Sequence, residues 1–247
     1  MNLSRSLLLA TLALSIAACG DKEETPAAAP ETPAADARPA MPERLGERNT
    51  EPPAAAMQPG YERALANFRA ATSYSFELEL SSGGLSQFAS GERSGTQTRF
   101  DLRVVPANSA GLDGKWFSNG TSFFKEQAGQ YLPSMQTVEI VEVLNGAISA
   151  LPAKEDGLSP DRPPIENVQG TACQPMLVNL ATNALLSQAF KQFQVCIDEA
   201  ASQLVQIKAT YAGDGGGYRI DFKNFGSGVV MPKVEAKQWW EEYQRAQ

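Results

Sequence analysis

The chain has 247 residues, with 21 Lys and Arg against 28 Asp and Glu and no histidine, for a formal charge of -7. Without histidine there is no His-based catalytic triad, no His zinc site and no His-ligated haem. The acidic balance, with no basic block, argues against a nucleic-acid partner, which needs a cationic footprint for the phosphates.

Residues 1–18 carry Arg5 as their only charge, and residues 7–16 form a mostly apolar run of ten. As a helix at ~1.5 Å per residue this run is roughly 15 Å long, about half a bilayer core. It is too short to span and predicts the apolar region of a secretory signal. Ile16-Ala17-Ala18-Cys19-Gly20 then resembles the bacterial lipobox, a branched apolar residue and two small ones before a cysteine. The resemblance implies that Cys19 is diacylated, becomes the new amino terminus after cleavage, and is usually acylated there as well. Each buried acyl CH₂ contributes ~0.8 kcal/mol and stable anchoring needs more than one chain, so Cys19 would tether the protein to a membrane. No later stretch reaches ~18 consecutive apolar residues. In the best-studied sorting rule for such proteins, Asp directly after the lipidated cysteine retains them in the inner membrane. Here that residue is Gly20, so the expected address is the cell envelope, facing the periplasm, with the outer membrane favoured over the inner.

Residues 20–60 hold eight of the 16 prolines and none of the 20 aromatics. Such a stretch cannot bury enough apolar surface to offset chain entropy, so 19–60 reads as the lipidated cysteine and a disordered tether. Over 41 residues its root-mean-square reach is roughly 35 Å. All aromatics fall in 61–247, long enough for a single well-developed core.

Tyr61, Leu65, Phe68 and Ala71 are at helical spacing and predict a helix over 60–72. The period then becomes two, as Tyr74-Ser75-Phe76-Glu77-Leu78-Glu79-Leu80 and Phe100-Asp101-Leu102-Arg103-Val104 alternate apolar with polar residues. These are strands with one wet face. Asn119-Gly120 between Trp116-Phe117-Ser118 and Ser122-Phe123-Phe124 predicts a hairpin. Met135, Val138, Val141, Leu144 and Ile148 form one stripe of a helix that Ser134 is placed to cap. Residues 152–165, with four prolines, predict a loop. A strand over 168–177, a short helix over 180–190 and strands at 193–197, 205–211, 218–222 and 229–234 follow, then a closing helix over 235–245. Strands joined by short turns, without a βαβ rhythm, predict an α+β fold with an antiparallel sheet.

Once Cys19 carries lipid, Cys173 and Cys196 remain, and in an oxidising periplasm they are expected to form a disulfide. Their spacing is not C-x-x-C, which argues against redox catalysis. Ser122-Phe123-Phe124-Lys125 fits the S-x-x-K pattern of penicillin-recognising enzymes, but it sits in a predicted strand, where residues three apart face opposite sides. Glu77 with Glu79, and Glu139 with Glu142, read as solvated charge. The pattern assigns no catalytic residue, metal or cofactor, and no enzyme activity is expected. Trp239, Trp240 and Tyr243 end the chain as an aromatic cluster that either meets a membrane interface or caps the sheet.

The opening amphipathic helix, long antiparallel strands, central helical insertion and late return to strands resemble the lipoprotein-carrier half-barrel, the fold of LolA, LolB and the LppX/LprG lipoproteins. Residues 116–132 resemble its aromatic hairpin and 218–232 its closing strands. The resemblance implies a curved antiparallel sheet with helices packed on its concave face, and an apolar pocket that takes a lipid or other hydrophobic ligand. Its wall candidates are Phe76, Leu78, Phe100, Leu102, Val205, Ile207, Ile220 and Phe222. The rival expectation is a structural or accessory envelope lipoprotein that binds a protein partner and no small ligand.

Overall fold

The computed structural model describes residues 60–106, 111–213 and 215–234, all within one compact unit, Glu51–Gln247. The expected signal segment 1–18, Cys19, the tether up to residue 59 and the closing segment 235–247 lie outside the described residues.

Eleven strands form one antiparallel sheet. They are β1 Ser73–Ser82, β2 Leu85–Ser94, β3 Gln97–Val105, β4 Gly114–Ser118, β5 Phe123–Gln127, β6 Gln130–Ser134, β7 Glu166–Val168, β8 Thr171–Leu177, β9 Phe190–Asp198, β10 Gln203–Tyr211 and β11 Gly217–Lys223. Their spatial order is β6-β5-β4-β3-β2-β1-β11-β10-β9-β8-β7. Two meanders, β1–β6 and β7–β11, thus join where β1 pairs with β11, and the sheet stays open, as a half-barrel does. Three α-helices accompany it: α1 Gly60–Ala70, α2 Glu139–Ser149 and α3 Ala184–Ala189. No helix among the described residues is long and apolar enough to cross a membrane.

The α+β half-barrel expected from the sequence is the observed fold, with instructive local departures. β2 has no alternating large apolar residues because its inward positions, Gln87, Ala89, Gly91 and Arg93, are small or polar. Gly91 pairs with both Phe76 and Phe100. A Cβ on Gly91 would collide with the Arg99 carbonyl oxygen and the Phe100 backbone, so only glycine fits there. β6 contains Pro133, which edge strands tolerate because one side of their backbone needs no ladder partner. The predicted strand over 168–177 is instead a hairpin that turns at Gln169 and Gly170, both at positive φ. The predicted helix over 180–190 is broken at Asn183, whose side chain accepts hydrogen bonds from the Leu185 and Leu186 amides and so starts α3. Residues 229–234 form no strand.

The central helix begins later than the Ser134 cap predicted. The Ser134 hydroxyl accepts from the Gln136 amide instead. α2 has Val138 as its N-cap, without a side-chain cap. Met135 is therefore exposed, and the buried stripe is Ile140, Val141, Leu144 and Ala147.

Candidate ligand-binding face

One face of the sheet is apolar in cross-strand rows that only Gln87 interrupts. Trp116, Phe100, Gly91, Phe76 and Phe222 follow each other across β4, β3, β2, β1 and β11. Leu102, Ala89, Leu78, Ile220, Ile207, Val195 and Met176 make the next row, from β3 to β8. A third row runs through Val104, Gln87, Leu80, Tyr218, Ala209 and Phe193. Period-two alternation with glutamate, arginine and lysine outward puts most large apolar side chains on this side; Phe88, Phe117, Phe124 and Val205 lie on the other.

Helices α1 and α2 close this face, and their buried residues belong to the same core. Glu62 near the start of α1 and Arg69 near its end complement the helix dipole. Tyr61, Ala64, Leu65 and Phe68 face inward. Phe68 packs against Tyr74 and Phe222, with centroids 5.2 and 5.0 Å away. The Tyr61 hydroxyl donates to the Pro152 carbonyl at 2.7 Å, and Asn67 donates to the Ser202 carbonyl at 2.9 Å. Burial pushes the Tyr61 and Tyr218 phenols well above their ordinary pKa. It pushes Tyr74 up to about 12, with Arg93 pulling weakly the other way. These tyrosines stay neutral and act as apolar wall.

α2 packs on the same face, with four buried residues of its own. Among the described residues, its side-chain hydrogen bonds to the sheet are Arg93 to Asn145 at 2.6 Å and Gln87 to Glu139 at 3.5 Å. It is 11 residues long and has an interior glycine, Gly146. Isolated helices shorter than ~12–15 residues are marginal, and an interior glycine costs ~1 kcal/mol relative to alanine. Its helicity therefore depends on the sheet beneath it.

Seven of the eight wall candidates lie together on the covered face: Phe76, Leu78, Phe100, Leu102, Ile207, Ile220 and Phe222. Each is almost wholly buried, Ile207 and Ile220 at 0 % exposure, so their side chains pack against the helices and are not lining an empty pocket. Val205 goes to the other side. A register shift between Leu204 and Gln206 inserts one residue into β10. This turns Val205 outward, where it packs with Val168, Cys173 and Cys196, while Leu204 takes its inward place. Strict alternation cannot anticipate a bulge. The pattern also overlooked Trp116, Tyr218 and Phe193 as wall partners, whereas the helices on the concave face were expected. Trp116 is fully buried, and its indole N–H donates to the Leu112 carbonyl at 2.7 Å. Its flanking Phe117 hid the alternation. Gln87 is a polar intrusion on this face, and its side-chain oxygen is buried without a partner.

The outer face is charged. Glu77 pairs with Lys223, Glu79 with Arg219, and Glu92 with Arg99. Two shallow grooves of about 350 and 420 Å³ lie on it, sharing Glu77, Ser90 and Asp101. Exposed pairs such as these contribute only ~0–1 kcal/mol each. Among the described residues no cluster of His, Cys, Asp and Glu could hold a metal ion.

The β7–β8 hairpin folds over part of this face. Gln169 at its turn donates to Glu77 at 2.8 Å and to Asp221 at 3.3 Å, and the buried Asp221 also accepts from Gln206 at 2.6 Å. Beneath the hairpin Cys173 and Cys196 form the expected disulfide, with Cα atoms 5.5 Å apart. At its base Glu166 accepts from Lys208 at 2.9 Å and from Gln194 at 3.3 Å. The Lys208 hydrogen bond holds the Glu166 carboxyl below its ordinary 4.5, with weak desolvation opposing. A depressed acid pKa stabilises the folded state above the unfolded value, and that contribution is lost as pH falls through the folded one. Protection of the 166–170 amides, taken relative to their intrinsic exchange rate at each pH, should therefore fall as the pH drops below about 4.5, and Glu166→Gln should remove this acid-dependent step. A step unchanged in the variant would contradict the assignment.

No family model matches the chain, and no curated protein matches it. Among solved structures, it is similar to the Mycobacterium tuberculosis lipoprotein LppX at 11 % identity, over 70 % of this chain and 96 % of that one, with a TM-score of 0.50. It is also similar to LprF from Mycobacterium bovis, at 11 % identity over 70 % and 94 % with a TM-score of 0.43. The Pseudomonas aeruginosa MucA/MucB complex follows, at 9 % identity over 73 % and 59 % with a TM-score of 0.35. At these identities the likeness concerns the fold alone, and the LppX comparison carries it. The described residues fold as an LppX-like half-barrel.

Proposed function

We propose that a protein built on this fold, with Cys19 as a lipid anchor, is a non-enzymatic periplasmic lipoprotein that binds or carries a lipid or other hydrophobic ligand on the concave face of its sheet. The observation that carries the reading is a largely apolar face, from Trp116 on β4 to Met176 on β8, closed by helices of which α2 carries an interior glycine, Gly146. In the state described that face is occupied by α2. Ligand would enter by exchange, replacing the Ile140, Val141 and Leu144 side chains with its own chain. Fully burying each such side chain contributes ~1.5–3 kcal/mol, roughly 5–9 kcal/mol for the three. About 12 acyl methylenes at ~0.8 kcal/mol each come to ~10 kcal/mol. The two are near balance, which suits reversible loading.

Native mass spectrometry of the protein extracted from its own envelope tests this reading. It should show a non-covalent lipid beyond the mass of the covalent acyl chains. Bare lipoprotein that co-purifies with an envelope protein would favour the accessory reading, for which the grooved outer face offers the surface. Anchoring has its own test. Cys19→Ala should abolish membrane attachment and incorporation of a palmitate analogue, while leaving the domain folded. Label that persists in the variant would remove the lipid from Cys19.

A further inference from the structure

We propose that the carboxy-terminal segment 235–247 docks, through Trp239 and Trp240, on an aromatic patch that Phe117, Phe124, Pro133 and Tyr131 form on the outer face of β4–β6. Phe117 follows Trp116 in β4 and so points away from the main core, toward the charged side. Its cross-strand partner on β5 is Phe124, which in turn pairs with Pro133 on β6. Ring contacts join Phe117 to Phe124 at 5.7 Å and to Tyr131 at 5.9 Å. Outward rings on the flank of an open sheet should be wet, yet Phe117 is 1 % and Phe124 3 % exposed. Neither belongs to the main core or to the small cluster around the disulfide. Tyr131, itself half-exposed, is too small a cover for both. Another part of the chain must exclude water from them.

The described chain delivers that part to the right place. After β11, the Gly226 amide donates to the Ser73 carbonyl, and at Val230 the backbone carbonyl accepts from Arg99 at 3.5 Å. Arg99 is the direct cross-strand neighbour of Phe117 on the same face. Phe124 is one strand further, and strands are ~4.8 Å apart. The chain continues from Val234 to Trp239 over five residues, ~8 Å as helix or up to ~18 Å extended, a reach that spans the neighbouring strands. The segment carries Glu235, Glu241 and Glu242 with Lys237 and Arg245, and Arg99 and Lys115 beside the patch are already paired with Glu92 and Glu126, so the placement rests on the rings and the reach of the chain. The same acids would be repelled by anionic lipid, so the indoles serve the fold and leave membrane attachment to Cys19.

Trp239→Ala/Trp240→Ala in the chain from Gly20 onward is the direct test, because it leaves both cores untouched. Hydrogen exchange of β4 and β5 amides should accelerate at least about tenfold, with β9–β11 unchanged. In the unaltered chain, Phe124→Cys with Trp240→Cys should cross-link readily, and Ser90→Cys with Trp240→Cys should not. Equal exchange in the variant and no cross-link would overturn the proposal. So would a blue shift of tryptophan emission on adding phosphatidylglycerol vesicles, which would give the indoles to a membrane. A dimer that becomes monomeric in the double variant would overturn it as well, because the occupant would then be a second copy.

Discussion

Ile207→Glu is expected to lower the unfolding free energy by at least about 4 kcal/mol at neutral pH, more than any other single change considered. Ile207 is fully buried between Val195 and Ile220, under the helices. A carboxylate there has no partner, and full burial raises a carboxyl pKa by up to ~3–5 units, at ~1.4 kcal/mol per unit. Lost packing of the isoleucine adds to this. The sign with pH identifies the cause. A raised folded pKa means the folded variant holds its proton longer than the unfolded chain, so its stability should fall as pH rises from the unfolded value near 4.3. Denaturant unfolding at pH 4.5 and pH 8 should show the variant much closer to the parent at the lower pH. Equal losses at both would mean that the glutamate reaches water and that the concave face is open.

Replacing Cys173 and Cys196 together by alanine should cost about 3.5 kcal/mol. The bond closes a loop with a sequence separation of 23, and the chain-entropy model gives that value for such a loop. Both cysteines are 1 % exposed and pack with Val168 and Val205, so the pair also anchors the hairpin that carries Gln169 to Asp221. Calorimetry should register a fall in melting temperature of roughly 7–14 °C. Peptide mapping without reductant should show a single linked pair. Free thiols in freshly prepared protein would contradict both the bond and its role.

Patterning made the sheet legible wherever one face is wet and the other buried. In β1, β3, β10 and β11, glutamate, arginine and lysine mark the outside and aromatic or branched residues the inside, so period two stands out. It fails where packing overrides periodicity. β2 faces inward with Gln87, Ala89 and Gly91, since bulky Phe76 and Phe100 fill the space above them. In β4 and β5, Trp116-Phe117 and Phe123-Phe124 put rings on both faces, which hides the alternation and the outward patch together. The bulge in β10 reverses Val205, a change that depends on pairing with β9 and leaves no local mark. The α2 stripe was readable, but its start was not, because the Ser134 hydroxyl serves a turn and the helix waits for Val138. Most of the candidate wall was thus visible, as was its cover by helices, while the particular residues of α2 that fill it are a tertiary fact.

Exchange between α2 and ligand is the central claim, and hydrogen exchange of α2 during a fatty-acid titration tests it most directly. The chain from Gly20 onward, which keeps every element of the core, would be titrated with a fluorescent fatty acid. Binding should saturate, and the amides of α2 should lose protection as it does, while those of β1, β10 and β11 hold theirs. Leu144→Ala removes ~2–5 kcal/mol of packing from the buried stripe, so it should populate the open state and tighten apparent binding at least about tenfold. Binding no better than to an unrelated globular protein, with α2 equally protected at every concentration, would contradict the account.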